Sequence, residues 1–152
     1  FQHAVIEYAR NVLGFADAQH AEYDPYASLL FVSALSCSLV CQTMSVRLEP
    51  GSRAAGFYGA AETSERYYCN FGLNPEHHAR LDEGGFRVVG SDQDGEARVL
   101  ELPGHRFFIA TLFVPHTSSS EDEPHPLISA YVAESAGVLV ANASAASRSK
   151  SP

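Results

Sequence analysis

Apolar residues at the start of the chain recur at helical spacing. They fall at intervals of three and four positions, which places them along one face of an α-helix. The members of this stripe are Val5, Tyr8, Ala9, Val12 and Leu13. Gly14 follows directly, and glycine commonly ends a helix because it adopts the left-handed backbone conformation. The pattern predicts an amphipathic helix at the beginning of the chain, with an apolar face that needs a sheet to cover.

Three later segments have the pattern of β-strands. Residues from Ser28 to Val40 are largely apolar, which indicates a buried strand or a short helix followed by a strand. Residues 44–48 alternate between apolar and polar positions and stop at Pro50-Gly51, as a strand does when it enters a turn. A further strand is predicted from Arg66 to Leu73. The local order of these strands favours antiparallel pairing.

A short helix and a hairpin follow in the sequence. Asn74-Pro75 indicates the start of the helix, and Gly84-Gly85 indicates its end. Two strand-like segments then flank an Asp-Gly turn at 94–95, the strongest short-range signal for a hairpin. The predicted strands of this hairpin are 86–90 and 97–102.

The last third of the chain predicts one strand, one loop and one helix. Residues 107–114 form a continuous apolar run that is typical of a buried strand, and 117–123 form a loop rich in serine and acidic residues. A closing helix is predicted with Pro126 near its first turn, where proline is tolerated. Residues 141–152 have no apolar face and are predicted to be a disordered tail. Together the elements predict a mixed α/β fold.

Composition narrows the possible partners. The 152 residues are 45% hydrophobic and carry a net charge of −8, with the ten lysines and arginines not clustered. We therefore expect neither a nucleic-acid nor an anionic-membrane partner. No apolar run reaches the roughly 18 residues that span a bilayer, and no signal peptide is visible, so a cytoplasmic protein is expected.

The cysteines and glycines do not predict a cofactor or a metal site. Three cysteines are too few for a disulfide framework, and reduced thiols are expected. Cys37 and Cys41 have a spacing that could ligate a metal, but their surroundings resemble a strand, so no metal site is expected. Gly51 and the pair Gly84-Gly85 are isolated turn glycines rather than a phosphate-binding loop.

Three quoted segments resemble a known family in order and spacing. They are FQHAVIEYARNVLGFADAQHAEYDP, SERYYCNFGLNPEHHARLDEGGFRVVGSDQDGEARVLELPGHRFFIATLFVPH and PHPLISAYV. They resemble the part of the carboxyl-terminal class I glutamine amidotransferase domain of CTP synthase that follows its nucleophilic cysteine. The resemblance implies a flavodoxin-like layered α/β domain, with residues 1–140 as its second half. It also implies a cysteine a few residues before Phe1, and a partner that is either the amino-terminal half or another copy of the chain.

The catalytic positions of this family are altered here. A class I glutaminase needs a histidine to move a proton from its thiol and a carboxylate to orient that histidine. The family places them in a His-Pro-Glu sequence, which aligns with Val114, Pro115 and His116. Valine cannot move a proton. Residues two apart on an extended strand share a side, so His116 is either a relocated catalytic base or a surface histidine at a loop edge.

The resemblance also implies a substrate pocket. Gln2 matches a pocket glutamine, and Glu22 matches the glutamate that holds the substrate amino group. Asn70 stands where an arginine would grip the glutamine carboxylate, and Phe71 is the aromatic residue beside it. Losing that arginine weakens carboxylate binding. Cys69 is either a substitute nucleophile or, as its apolar neighbours favour, a structural thiol.

Four other histidines are weaker candidates for the catalytic base than His116. His77 and His78 are predicted on the solvated face of a short helix, and His105 and His125 are predicted in loops.

The residues leave three functions open. The first is an enzyme that acts on glutamine or a related amide or acyl substrate through the upstream cysteine, with a non-standard proton relay. The second is a catalytically inactive pseudo-glutaminase that serves as a binding or scaffold module. The third, an ordinary glutaminase that delivers ammonia to a synthetase, fits least well because the histidine and the glutamate are both missing.

Overall fold

Two β-sheets and the helices around them make up the part of the chain that the structure describes. A computed structural model describes residues 1–137, so the predicted tail at 141–152 lies outside the described residues. The helices are α1 Gln2–Asn11, α2 Arg53–Tyr58, α3 His78–Gly84 and α4 Pro126–Ser135. The strands are β1 Gln19–His20, β2 Leu30–Ala34, β3 Gln42–Leu48, β4 Glu62–Tyr67, β5 Phe71–Leu73, β6 Arg87–Ser91, β7 Ala97–Glu101 and β8 Ile109–Thr111.

The two sheets differ in size and in strand direction. The smaller sheet has the order β1-β2-β5, with β1 parallel and β5 antiparallel to β2. The larger sheet has the order β4-β3-β6-β7-β8, and all of its neighbouring strands are antiparallel. Helix α1 packs on β2 and β5 of the smaller sheet. The predicted α/β class with antiparallel strands is therefore confirmed.

Helix α1 forms where the apolar stripe predicts it. Val5 and Ala9 are completely buried, so the apolar face of the helix packs into the core and stabilises the helix. Val12 is 59% exposed, because the helix ends at Asn11 and Val12 leaves the stripe. Gly14 has a φ of 79°, so the glycine does terminate this segment in a left-handed conformation.

The strand predicted from Arg66 to Leu73 is divided between the two sheets. Strand β4 ends at Tyr67, and β5 begins at Phe71. Between them, the carbonyl oxygens of Cys69 and Asn70 accept hydrogen bonds from the backbone N–H groups of Leu39 and Leu35. These bonds to a neighbouring loop replace the strand pairing, so the apolar run contains two strands rather than one.

The predictions around Cys37 and Cys41 and at residues 107–114 are partly wrong. Residues after β2 form a loop in which both cysteines are exposed, and Cys41 has a φ of 60°. Strand β8 is shorter than its apolar run, because the N–H of Val114 donates to the carbonyl of Arg66 on β4 instead of pairing with β7. Among residues 1–137 no cluster of three metal-ligating side chains occurs.

The remaining predicted elements are confirmed. The Asn74 side chain accepts a hydrogen bond from the N–H of Glu76 and starts a 3-10 helix at Pro75–His77, which leads into α3. Gly85, at a φ of 98°, ends α3. Strands β6 and β7 form the predicted hairpin, and α4 begins at Pro126. None of the helices in the described residues has the length and hydrophobicity that a bilayer span requires.

Helix α2 was not predicted from the sequence. The hydroxyl of Ser52 accepts a hydrogen bond from the N–H of Ala55 and caps the helix start. The buried carboxylate of Glu101 accepts from the N–H groups of Arg53 and Ala54 at 3.0 and 3.3 Å. An acidic group from a distant strand therefore satisfies the first turn, a contact that local sequence patterns do not reveal.

Candidate ligand site at the start of helix α1

Gln2 and Phe71 meet where α1 begins. The Nε2 group of Gln2 donates a hydrogen bond of 2.8 Å to the carbonyl oxygen of Phe71 on β5. Both residues are half-buried. The structure thus brings together two of the residues that the family resemblance places in a substrate pocket, and the bond fixes the first turn of the helix against the smaller sheet.

His20 lies beside this contact and was not predicted as a site residue. Its ring centroid is 5.3 Å from that of Phe71 and 6.3 Å from that of His3. The side chain is 2% exposed, and its Nδ1 accepts a hydrogen bond of 3.1 Å from the N–H of Glu22. Among the described residues, Nε2 of His20 has no hydrogen-bond partner. The only clue in the sequence is its position two residues before Glu22.

The electrostatics of His20 favour a neutral ring. Burial lowers the pKa of His20, and the nearby carboxylate of Glu22 offsets part of this effect. Because Nδ1 accepts a hydrogen bond, the neutral ring carries its proton on Nε2. His20 therefore presents a buried, uncharged N–H donor.

Glu22 and Asn70 are both exposed. The backbone N–H of Glu22 donates to Nδ1 of His20, and the side chain of Glu22 lies at the surface. Asn70 uses its backbone carbonyl to hold Leu35, which leaves its short side chain at the surface. Neither residue supplies the positive charge that would bind a carboxylate.

Cys69 is half-buried and engaged within the fold. Its Sγ donates a weak hydrogen bond to the carbonyl oxygen of Leu112 at 3.4 Å. The thiol packs against the core cluster that includes Tyr67 and Leu112. This environment agrees with a structural role for the thiol.

Val114 and His116 do not share one side of a strand. The half-buried Val114 precedes a 3-10 helix at Pro115–Ser118, and His116 is an exposed residue of that helix. The alternation expected for an extended strand does not apply to this turn, so that part of the prediction is wrong. A catalytic role for His116 stays a prediction.

His125 belongs to a buried polar cluster rather than to a loop surface. Its Nε2 lies 3.1 Å from Oε1 of Glu65, and the hydroxyl of Tyr58 donates to the same oxygen at 2.5 Å. Its Nδ1 accepts from the N–H of Leu127 at 3.2 Å and caps α4. Burial, followed by the hydrogen bond to Glu65, raises the pKa of Tyr58 above its ordinary value. Both ring nitrogens of His125 thus have hydrogen-bond partners within the protein.

Known proteins resemble the chain in both sequence and structure, although no family model matches it. CTP synthase of Koribacter versatilis is 34% identical over 146 residues, which are 88% of this chain and 26% of that protein. CTP synthase of Pyrobaculum calidifontis is 37% identical over 136 residues, which are 83% of this chain and 26% of that protein. The glutaminase domain of Trypanosoma brucei CTPS with bound acivicin superposes with a TM-score of 0.82 at 25% identity, covering 90% of this chain and 57% of that chain.

The chain belongs to the CTP-synthase-related class I glutamine amidotransferase domains. It spans about a quarter, 26%, of the length of the CTP synthases it matches. The expected layered α/β amidotransferase fold is confirmed by the superposition, and the placement of residues 1–140 as the second half of such a domain stays a prediction. The roles of Gln2, Glu22 and Phe71 in a substrate pocket stay predictions.

Proposed function

We propose that this diverged amidotransferase domain binds glutamine or a related amide without turning it over, as a pseudo-glutaminase. The observation that carries the proposal is Val114, which stands where the family resemblance places the proton-carrying histidine. Its backbone N–H is held at 3.0 Å from the carbonyl oxygen of Arg66, which fixes the position of the residue between β4 and the following turn. An aliphatic side chain at that point cannot accept or donate a proton.

Ligand binding is supported by the residues around the start of α1. Gln2 is tied to Phe71, and the imidazole of His20 closes the same corner from β1. Glu22 supplies a carboxylate two residues from His20, which suits the ammonium group of an amino acid. We further propose that the part of the domain before Phe1, or a second copy, supplies the remaining walls.

The nearby histidines do not replace the missing relay in this proposal. His116 faces solvent from a 3-10 helix, and His125 has both nitrogens committed to Glu65 and Leu127. A proton carrier must come within hydrogen-bond reach of the thiol it serves.

Catalysis through His116 is the second candidate. The imidazole of His116 makes no hydrogen bond to any residue that the structure describes, so a thiol upstream of Phe1 could engage it if the turn moved. In that case the cysteine would attack an amide or acyl carbonyl, form a thioester, and release the leaving group with a proton from His116.

A restoration experiment separates the two candidates. Full-length natural protein is assayed for ammonia release from L-glutamine, alongside the double variant V114H/H116E, which rebuilds His-Pro-Glu, and the single variant H116A. The pseudo-glutaminase proposal expects no release by the natural protein or H116A, and a gain in the double variant if the upstream residue is a cysteine. Release by the natural protein that H116A abolishes, but H105A does not, would establish the enzymatic candidate instead.

A further inference from the structure

We propose that the outer edge of β8 binds an extended peptide segment of a partner protein, with an apolar middle and an acidic residue towards its carboxyl end. The inference concerns the larger sheet and does not depend on ligand binding at the start of α1. An unpaired strand edge, an apolar groove beside it and a surplus arginine at one end of the groove together favour such a ligand.

Strand β8 has a neighbouring strand on one side only. In the described part of the chain it lies at the end of the larger sheet and pairs with β7 alone. The N–H of Leu102 donates to the carbonyl oxygen of Phe108 across this pair. Because the hydrogen-bonding direction alternates along an antiparallel strand, Ile109 and Thr111 direct their backbone N–H and C=O groups outwards. The edge thus offers two residues to which another strand can bond.

The opposite edge of the same sheet carries charges, and the edge at β8 does not. Strand β4 has Glu62 and Arg66, both exposed, and charged side chains commonly protect an edge against strand pairing. No charged residue stands between Phe107 and Thr111, and Phe108 is 37% exposed. An uncharged edge with an exposed aromatic side chain is suited to being covered by another chain.

An apolar groove of about 260 Å³ runs beside β8. Its walls come from alternate residues of the strand segment, from Pro115 and from α4. The strand segment contributes Phe107, Ile109 and Thr111, and the helix contributes Leu127, Ile128 and Tyr131. Directly opposed residues of paired strands place their side chains on the same face. The groove therefore receives every second side chain of a strand that pairs with β8, and it suits apolar residues at those positions.

One end of the groove is positively charged. Arg53 and Arg106 lie 3.1 and 3.7 Å from the carboxylate of Glu134, so one carboxylate faces two guanidinium groups. The side chain of Arg106 is 63% exposed. Phe107 and Tyr131 line both the apolar groove and the adjoining cavity that contains Arg106. An acidic residue of the ligand can therefore pair with Arg106 while its neighbours contact the apolar walls.

The charges also set the direction of the peptide. Strand β8 begins beside Arg106, whereas Pro115 and Leu127 line the other end of the groove. The loop between these two residues carries the acidic residues 121–123. A partner strand that continues the antiparallel pattern of the sheet has its carboxyl end beside Arg106. An acidic residue fits at that end, and a basic residue fits at the amino end.

Blocked peptides test the inference on the full-length natural protein. The probe is acetyl-Lys-Val-Thr-Val-Thr-Val-Glu-amide, whose valines face the groove when their backbone groups bond to Ile109 and Thr111. Methylating the valine nitrogens removes the donors that face β8, whereas methylating the threonine nitrogens removes donors that face away. Calorimetry is expected to show binding that the first change weakens by about tenfold or more and the second by less than about twofold. No binding of the probe, or an equal effect of the two methylations, would overturn the inference.

A charge reversal tests the role of Arg106. Arg106→Glu is expected to bind the probe about tenfold more weakly, and to prefer a peptide in which the lysine and the glutamate have exchanged places. Arg87→Glu is the matched control, because Arg87 is also an exposed arginine in an ion pair, with Glu49. It should change the affinity by less than about twofold. Equal losses in the two variants would reduce the effect to net charge and count against the site.

Hydrogen exchange and sedimentation identify other occupants of the edge. The amide hydrogens of Ile109 and Thr111 are expected to exchange fast in the protein alone and slowly with the probe. Slow exchange in the dilute protein alone would show that the rest of the polypeptide covers the edge, which contradicts the inference. Sedimentation at rising protein concentration is expected to show no dimer that the probe dissociates. Such a dimer would assign the edge to a second copy of the chain instead.

Discussion

The Nε2 atom of His125 lies 3.1 Å from Oε1 of Glu65, and the two side chains are 3% and 2% exposed. They come from residues 60 positions apart in the sequence. The contact fastens the start of α4 to β4, and Tyr58 extends it to α2 through its bond to Glu65. Polar groups at this depth stabilise the fold only while each has its partner.

Removing His125 should therefore cost much of the stability of the domain. We expect His125→Ala to lower the free energy of unfolding by about 3 kcal/mol, because it leaves the carboxylate of Glu65 buried and removes the cap of α4. Urea unfolding measures the change. The exposed His105 provides the control, and H105A should shift stability by less than about 0.5 kcal/mol. Equal effects of the two variants would refute a structural role for the cluster.

The raised pKa of Tyr58 predicts that the domain loses stability at alkaline pH. Burial and the bond to Glu65 raise the pKa of Tyr58, and burial likewise raises that of Tyr67. An unfolded tyrosine ionises near pH 10, so the unfolded state releases protons first and stability falls above about pH 10. Tyr58→Phe should flatten this decline in thermal unfolding scans between pH 9 and about 11. A decline of unchanged steepness in the variant would contradict the assignment.

The lowered pKa values of three histidines predict that the domain loses stability in mild acid. Burial lowers the pKa of His77, with the charge of Arg80 adding to the effect, and burial lowers the pKa of His20 and His78. The unfolded state then binds more protons below about pH 6.5, so stability is full above that pH and falls as the pH drops towards the lowered values.

His77 offers a direct check on this acid dependence. Its ring stacks on Phe31 at 4.0 Å between centroids, a contact that a neutral aromatic ring can preserve. His77→Phe should make unfolding less dependent on pH between about 4 and 6.5, as measured by urea titrations at each pH. His105→Phe serves as the matched substitution at an exposed site. If both variants retain the natural slope, His77 is not one of the groups responsible.

The carboxylate of Glu101 should be a principal stabiliser of α2. It is 3% exposed and accepts from the N–H groups of Arg53 and Ala54. Glu101→Ala is expected to cost about 2 kcal/mol, because it leaves both donors unpaired at a helix start. Glu49→Ala removes an exposed ion pair with Arg87, in which the side chains are 43% and 49% exposed, and should cost less than about 1 kcal/mol. Chemical denaturation of both variants makes the comparison.

The sequence predicted the elements whose signals are local. The apolar stripe gave α1, Asn74-Pro75 and Gly85 bounded the short helical segment, and the Asp-Gly turn gave the hairpin. Each of these signals depends on residues within a few positions of one another. Prediction failed between Arg66 and Leu73, because bonds from Cys69 and Asn70 to a distant loop end one strand and allow another to begin in a different sheet.

The candidate site was predicted only in part for the same reason. Gln2 and Phe71 followed from the family resemblance, and the structure joins them by a hydrogen bond. The unpaired nitrogen of His20 and the pairing of Glu65 with His125 depend on burial and on contacts between distant segments. The spacing of residues in the sequence reveals neither burial nor contacts between distant segments. His20 was therefore not predicted as a site residue, and His125 was expected in a loop.

One paired measurement tests the central claim most directly. L-glutamine binding by calorimetry and ammonia release from L-glutamine are determined on the same preparation of full-length protein. The account predicts a saturable binding isotherm with no ammonia above that of a protein-free control, because Val114 cannot carry a proton. Steady ammonia release by the natural protein would contradict this prediction. His116 would then be the first candidate for the residue that carries the proton.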